Sequence, residues 1–488
     1  MKVKLAQLIA GWLHQPLPET FNVDISDLFI DSRAVIPNSV FIAIVGATSD
    51  GRDYIQKALC QGAAVVLSQV DDKAQHGQIE RRDGAVIIHF YGLKEALATL
   101  AQRCYRQLPR HIIGVTGTNG KSTVTHLLAS LAELNHIPAA VMGTLGQGRP
   151  GELHGALNTT ADIFSVYRIL NQFALSGIEL VAMEVSSHGL VQGRVAGVPF
   201  TGAVFTNLTR DHLDYHHTMQ AYGEAKAQLM AMTTRGVQII NADDAFGQQL
   251  LERYPNAKSY ALECQADWQA SVIAMTESGC QIRVHHHDQQ WPIEVPLLGQ
   301  FNVSNLLAAI ACLDELGLVS DASLGDCLAL KAVPGRMELF CGRTQVVVDY
   351  AHTPDALAKA LQGVRSHCSG KLICIFGCGG DRDRGKRPLM AQAAENYADQ
   401  VIVTNDNPRS EDPSLIADDI CQGFEHRQSV SIILDRRSAI QAALAQAQKQ
   451  DMILVAGKGH EDYQIIGQQR LAYDERAVVA QLLAEASC

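Results

Sequence analysis

The sequence predicts an α/β fold arranged as three domains. Three observations carry that expectation. The chain has 488 residues, and a domain commonly takes about 150. Apolar runs of strand length alternate with helical stretches along most of the chain, the pattern of parallel strands joined by crossover helices. One of these runs, 112–115, passes through a glycine-containing turn straight into a helical stretch at 124–134. The expected domains are 1–90, 91–333 and 334–488.

In order along the chain, strand runs at 41–45, 63–67 and 85–90 are joined by polar stretches such as 71–82, so a small N-terminal α/β domain is expected. Leu5, Leu8, Ile9 and Trp12 recur at helical spacing and read as an amphipathic surface helix, not a leader. Residues 93–108 read as a helix that stops before Pro109. The central region has strand runs at 112–115, 139–142, 180–185, 203–206 and 237–240. Helical stretches lie between the first four, which predicts a parallel sheet. Residues 258–298 alternate instead, as in 280–284 and 293–296. They read as a small antiparallel addition, with His285, His286 and His287 at a solvated hairpin tip. Beyond 334, runs at 346–349, 372–376, 401–404, 430–434 and 452–456 alternate with helices at 354–365, 387–397, 413–422 and 436–449. That is a Rossmann-like, doubly wound domain, in which ligands bind beyond the carboxyl ends of the strands.

Composition removes several classes. Lys plus Arg is 40 against 51 Asp plus Glu, a net charge of −11 with no basic block, which argues against a nucleic-acid binder. The longest apolar run, 306–313, is far short of the roughly 20 residues of a membrane span. Twelve scattered cysteines form no CxxC pair, so they read as core residues of a protein in a reducing compartment. A cytoplasmic location and no membrane insertion are expected.

The sharpest chemical signal is Gly114-Val115-Thr116-Gly117-Thr118-Asn119-Gly120-Lys121-Ser122-Thr123. Glycines let backbone N–H groups curl toward phosphate oxygens, and the following helix adds its positive N-terminus. Lys121 would meet the terminal phosphates of ATP and the Ser122 hydroxyl would bind Mg²⁺. Val115 stands where the strict phosphate-loop pattern has its first glycine; a ligand-free turn is the bland alternative. Glu184 ends the apolar run 180–184. A buried carboxylate needs a partner or a metal, so Glu184 is a candidate Mg²⁺ ligand, with a cap or salt bridge as the plainer reading.

These residues resemble the Mur ligases, ATP-dependent amide-forming enzymes of peptidoglycan precursor synthesis. Gly117-Thr118-Asn119-Gly120-Lys121-Ser122-Thr123 is similar to their variant phosphate loop. The blocks Glu184-Val185-Ser186-Ser187-His188, 207–217, Phe301-Asn302-Val303-Ser304-Asn305, Pro334-Gly335-Arg336-Met337-Glu338 and Asp349-Tyr350-Ala351-His352-Thr353-Pro354-Asp355 follow in family order. Within the family, Asp406-Asn407-Pro408-Arg409 resembles the block of members that add meso-diaminopimelate. Physics supplies a reason: diaminopimelate carries a distal carboxylate, which a guanidinium grips with two parallel hydrogen bonds. Arg409 is the candidate for this. Alone, the block would be only a turn.

The resemblance implies further roles. Arg382, Gly457 and Glu461 would complete the amino-acid site, with Glu461 pairing a substrate ammonium. Ile30, Ser32, Ala47, Thr48 and Ser49 would contact the uridine nucleotide. Asn158, Thr159, Thr160, Ser186, Gln192 and Arg194 would hold the muramoyl dipeptide. Asn302, Arg336 and Asp349 would surround ATP. Lys226 matches a lysine carbamylated by CO₂ in this family; unmodified, it would be a surface helix lysine. As a carbamate it would join His212 in holding a second Mg²⁺. The implied small-molecule partners are UDP-MurNAc-L-Ala-D-Glu, meso-diaminopimelate and ATP, acting on a monomer.

The expected chemistry has two steps. The substrate carboxylate takes the γ-phosphoryl group of ATP, and the amine of diaminopimelate displaces phosphate from the acyl phosphate. Lys121, Arg336 and Mg²⁺ would neutralise the charge that gathers during phosphoryl transfer. Competing readings are a lysine-adding synthetase or folylpolyglutamate synthase of the same chemistry, and, from another class, a phosphate-loop regulator that hydrolyses ATP without forming a bond.

Overall fold

The computed structural model describes residues 3–13, 15–46, 49–155, 158–319 and 325–486. The chain forms two compact units. One comprises 1–117, 137–204 and 210–238, and the other 118–136, 205–209 and 239–488.

The first unit holds a five-stranded sheet in the order Leu28–Phe29, Val40–Ala43, Val65–Val70, Ala85–Tyr91, Ile79–Arg82. Four strands run parallel and the last antiparallel. All four residues of Val40–Ala43 are buried, and Phe41 and Ala43 pack with Ala58 and Leu59 of helix Ile55–Cys60. The polar stretch 71–82 is therefore not all connection. Its end, Ile79–Arg82, is an edge strand, polar because one face stays in water.

Two expected helices are shorter than their patterns. Leu5, Leu8 and Ile9 are buried, but the helix spans only Leu5–Leu8. Gly11, at φ +79°, turns the chain before Trp12 completes the stripe. Helix Leu93–Cys104 stops short of 108 because Tyr105 leaves helical geometry. Its hydroxyl donates to Asp27 and accepts the N–H of Leu28 at 3.3 Å.

The same unit carries strands in the order Glu152–His154, Gly146–Arg149, Ala139–Gly143, Leu180–Glu184, His111–Thr116. The last three are parallel and place Glu184 opposite Val115. The first two form an antiparallel hairpin that no apolar run announces.

In the second unit, Trp268–Thr276, Gly279–His286 and Gln289–Val295 form the expected antiparallel addition. The histidine triplet is not all a solvated tip. His286 is 9% exposed and stacks on Trp268 with ring centroids 3.8 Å apart. Period-2 alternation turns this one ring inward while His287 makes the turn at φ +50°. The apolar run 306–313 is the buried body of helix Gln300–Glu315, which packs on helix Lys121–Leu134.

The C-terminal sheet runs Glu338–Phe340, Gln345–Asp349, Met452–Ala456, Leu372–Phe376, Gln400–Val403, Val430–Ile432. All neighbours are parallel except the first pair. Leu372–Phe376 is buried throughout, and each large apolar side chain contributes about 2 kcal/mol. Helices Pro354–Arg365, Lys386–Tyr397 and Pro413–Cys421 pack on one face; Arg436–Gln446 and Glu475–Ala486 pack on the other. This is the doubly wound arrangement, and it gathers the segments after Asp349, Phe376, Val403 and Ala456 at one sheet edge. Among the described residues, no helix is long and apolar enough to cross a membrane.

Candidate functional site

The phosphate loop leaves strand His111–Thr116 and enters helix Lys121–Leu134. Gly120 sits at φ +86°, and a Cβ there would lie 2.5 Å from Asn305 Oδ1, so only glycine fits. The segment after strand Gly202–Phe205 pins the loop. Thr118 N–H donates to Asn207 O at 2.8 Å, and Asn119 N–H to Asn207 Oδ1 at 2.9 Å. Thr206 Oγ1 donates to Asn119 O at 2.6 Å, and Thr209 N–H to Thr118 Oγ1 at 3.0 Å. Lys121 Nζ donates to Thr118 O at 2.8 Å, inside its own loop. Ser122 and Thr123 are buried at the first helical turn. Asn302 is 3% exposed; its amide donates to Leu298 O and accepts from Asn305.

In the first unit Glu184 is 2% exposed at its strand end. Thr144, absent from the sequence-based expectations, meets it: the N–H donates to Oε1 at 2.8 Å and the hydroxyl to Oε2 at 3.2 Å. Most of the residues expected around the dipeptide converge nearby. Thr160 Oγ1 donates to Glu184 O at 3.0 Å and accepts the Ser186 N–H at 3.0 Å. Thr159 Oγ1 lies 3.0 Å from Thr144 Oγ1, within hydrogen-bond distance. Arg194 donates to Thr160 O at 2.7 Å and to Gln192 Oε1 at 2.6 Å. Asn158 is exposed and outside this network.

Lys226 is not a surface lysine. It is 1% exposed on helix Met219–Met232, because that helix turns it inward. Its Nζ donates to Gly117 O at 2.7 Å and lies 4.3 Å from the Tyr222 ring centroid. His212, at φ +51° and exposed, packs edge-on against His188 at 4.9 Å. Burial, then His212, holds His188 below the usual imidazole range. Among the described residues no group of three His, Cys, Asp or Glu forms a ready metal cage. Ile30 follows strand Leu28–Phe29, Ser32 is buried in the turn Ser32–Ala34, and Ser49 O accepts the Gly46 N–H. Ala47 and Thr48 lie outside the described residues.

In the second unit Arg336 lies 4.3 Å over the Tyr350 ring, with Nη1 3.5 Å from His460 Nδ1. Burial, with Arg336 and Arg476, pushes His460 down to about 3. Asp349 accepts the N–H groups of Met337 and Ala351, each at 2.8 Å, and burial pushes its carboxyl up against these bonds.

The Asp406–Arg409 block follows strand Gln400–Val403, and the 457–461 segment follows the parallel strand Met452–Ala456. They meet. Asn407 Nδ2 donates to Glu461 Oε2 at 3.0 Å, and Lys458, which sequence reading passed over, donates to the same oxygen at 3.1 Å. Arg409 is half-buried at φ +52°, with Nη1 held by Gly380 O at 2.7 Å and Asn407 O at 3.4 Å. Pro408 is buried, and Gly457, at φ +117°, lies against the buried Asp406 carboxylate, 3.9 Å from where its Cβ would be. Arg382 is exposed on the 377–385 loop. The Gly-Lys-Gly run after a buried strand was the available sign of Lys458.

Three family models match in order. They are the Mur ligase family catalytic domain over 24–105, the Mur ligase middle domain over 115–313 and the Mur ligase glutamate ligase domain over 335–459. The UDP-N-acetylmuramoyl-L-alanyl-D-glutamate–2,6-diaminopimelate ligase of Vibrio vulnificus (strain YJ016) is 46% identical over 488 residues, covering 99% of this chain and 98% of that protein. The ligase of the same name from Vibrio cholerae is 45% identical over 486 residues, 98% of each. A solved structure of a ligase so named superposes with a TM-score of 0.72 at 35% identity, covering 99% of both chains. On these matches, spanning the phosphate loop and the Asp406–Arg409 block alike, the chain belongs to the Mur ligase family.

Proposed function

We propose that this chain is an ATP-dependent ligase that joins meso-diaminopimelate to UDP-MurNAc-L-Ala-D-Glu, a step of peptidoglycan precursor synthesis. One observation carries the reading. In a chain 46% identical to a diaminopimelate ligase, Arg409 is oriented by two carbonyls, one of them that of Asn407, whose side-chain amide bonds Glu461. A guanidinium next to carboxylates suits the distal end of an amino acid that carries both charges.

The dipeptide carboxylate attacks the γ-phosphorus of ATP, and ADP leaves. Lys121 leaves Thr118 O for the phosphates, while the loop N–H groups at Gly117, Thr118, Asn119 and Gly120 and the helix start at Ser122 and Thr123 hold the remaining oxygens. Arg336, kept extended by Tyr350 and His460, meets the charge that develops on the transferred group, with Asn302 and Asp349 framing the nucleotide. Arg194, Gln192, Ser186, Thr160, Thr159 and Asn158 hold the dipeptide, and Ile30, Ser32, Ala47, Thr48 and Ser49 the uridine. Arg409, Asp406, Asn407, Pro408, Arg382, Gly457 and Glu461 then place diaminopimelate so that its free amine attacks the acyl phosphate and phosphate departs.

The donor chemistry fits Mg²⁺, which takes a few protein oxygens and fills its shell with phosphates and water. Ser122, Glu184, His212 and Lys226 as a carbamate are the residues that would hold it. Bound Mg²⁺ would offset phosphate charge. We place the enzyme in the cytoplasm as a monomer.

The test is product mass. The purified chain with ATP and both substrates should yield the uridine-nucleotide tripeptide, and Lys121→Ala should lower kcat by about 10³-fold. Normal turnover in that variant would refute the ATP-site assignment.

A further inference from the structure

Lys458 follows strand Met452–Ala456, and its side chain is fully buried. Lysine is almost never fully buried without partners. Its ammonium lies 3.1 Å from Glu461 Oε2, 3.3 Å from Asn407 Oδ1 and 3.6 Å from Asp406 Oδ1. That Asp406 oxygen is buried and accepts no hydrogen bond, and Lys458 faces it at 3.6 Å, with Arg436, already paired with Glu475, also acting on Asp406.

Lys458 also decides how Asn407 points. Asn407 Oδ1 accepts from Lys458 and from the Ile465 N–H at 2.9 Å, while Nδ2 donates to Glu461 Oε2. With two donors on one side and an acceptor on the other, the amide has a single orientation. Both Asn407 and Lys458 bond the same Glu461 oxygen, Oε2.

Within the cluster around Asn407 the formal charges balance: Lys458 and Arg409, which bonds Asn407 O, supply two positive charges, and Asp406 and Glu461 two negative ones, while Arg382 stays exposed on its loop outside this cluster. A balanced site complements the distal end of an amino acid bearing one ammonium and one carboxylate. A lone ammonium, as at the end of lysine, brings one charge that this balance does not match.

We propose that Lys458 is a positioning residue that sets amino-acid specificity: it cancels one of two clustered carboxylates and fixes the Asn407 amide, so that the site takes a zwitterionic end and disfavours a bare cation. The proposal rests on the ligase reading above and deepens it.

The experiment measures kcat/KM for diaminopimelate and for lysine with saturating ATP and uridine-nucleotide dipeptide. Their ratio is independent of the fraction of enzyme that is folded. Lys458→Met leaves a net negative site, and the ratio should fall about tenfold or more in favour of lysine. Lys458→Arg keeps the charge and should keep the ratio within about twofold of the parent. Asn407→Asp, with Lys458 retained, adds one negative charge and should move the ratio the same way as Lys458→Met. It also serves if Lys458→Met does not fold. KM for the uridine nucleotide should stay unchanged throughout. An unchanged ratio in Lys458→Met or in Asn407→Asp overturns the proposal, as does a Lys458→Arg enzyme that behaves like Lys458→Met. Absence of diaminopimelate turnover in the unaltered chain would instead sink the ligase reading itself, and this proposal with it.

Discussion

Arg409 occupies left-handed backbone space, with Nη1 tied to Gly380 and Asn407 carbonyls, so its guanidinium is oriented before any ligand arrives. Pre-oriented charge recognises a carboxylate at little entropic cost. Arg409→Ala should therefore raise KM for diaminopimelate about tenfold or more and leave that for ATP within about twofold. Equal changes in both would remove its carboxylate role. Lys226, buried against Gly117 O, is the proposed carbamate. Lys226→Ala should lose activity that added acetate or formate partly restores; full activity without them would show that no carbamate is needed. His460 carries a pH signature. Folded, it is held at about 3 by burial and by Arg336 and Arg476, whereas an unfolded histidine titrates near 6.5. As pH falls below that value the unfolded chain takes up a proton that the folded one refuses, so stability drops. Between pH 7.5 and 5 this group accounts for about 2 kcal/mol. Urea unfolding of His460→Asn should show a pH-dependent loss smaller by that amount, and an identical loss would contradict the assignment. At this scale the sequence was readable where glycines and a strand end flagged local structure, as in the turn into the helix that starts at Lys121 and the buried carboxylate of Glu184. It was not readable at Lys226, because nothing in its neighbours along the chain says that the fold will bury it, and at Lys458 the flanking glycines marked the position without saying that its side chain is buried.

Elements were legible where several local signals agreed. Helix Pro354–Arg365 has Thr353 as its cap, accepting the Ala356 N–H at 3.3 Å, proline in its first turn and an apolar stripe on Leu357, Leu361 and Val364. Strand Leu372–Phe376 was legible because both its faces are covered, so every residue is apolar. The ribbon Tyr463–Ile466 with Gln469–Ala472 was not, since it is half-exposed and lacks alternation. Yet this ribbon backs the Asp406–Arg409 block, giving the Ile465 N–H to Asn407 and accepting the Arg409 N–H at 3.1 Å. Helix Glu475–Ala486 is anchored by a buried pair. Arg436 grips Glu475 and donates to Ala456 O at 2.7 Å and Asn405 O at 3.1 Å, joining the ends of two site-bearing strands. Arg436→Ala leaves Glu475 buried without its partner and should cost about 3–5 kcal/mol in chemical denaturation. Arg436→Met combined with Glu475→Leu should cost much less. A small loss in the single variant would show that the pair does not hold these strands.

At the scale of the whole molecule, the −11 net charge and the anionic substrates agree only if attraction is local. The cations assigned to the ligands, Lys121, Arg194, Arg336, Arg382 and Arg409, are each set in a different loop or helix start of an acidic chain. The places along the chain of the segments that carry Lys121, Arg382 and Arg409 were legible because each follows the carboxyl end of a strand, where the fold class places ligands. Their mutual contacts, such as Asn407 with Glu461 across 54 positions of sequence, depend on strand order, which a linear pattern does not carry. The central claim is that this chain couples ATP cleavage to amide formation with diaminopimelate. Phosphate release tests it most directly, measured with ATP and the uridine-nucleotide dipeptide and with diaminopimelate, lysine or no amino acid added. The account predicts rapid release with diaminopimelate, little with lysine and almost none without an amino acid. Equal release under all three conditions would mean an ATPase that makes no bond.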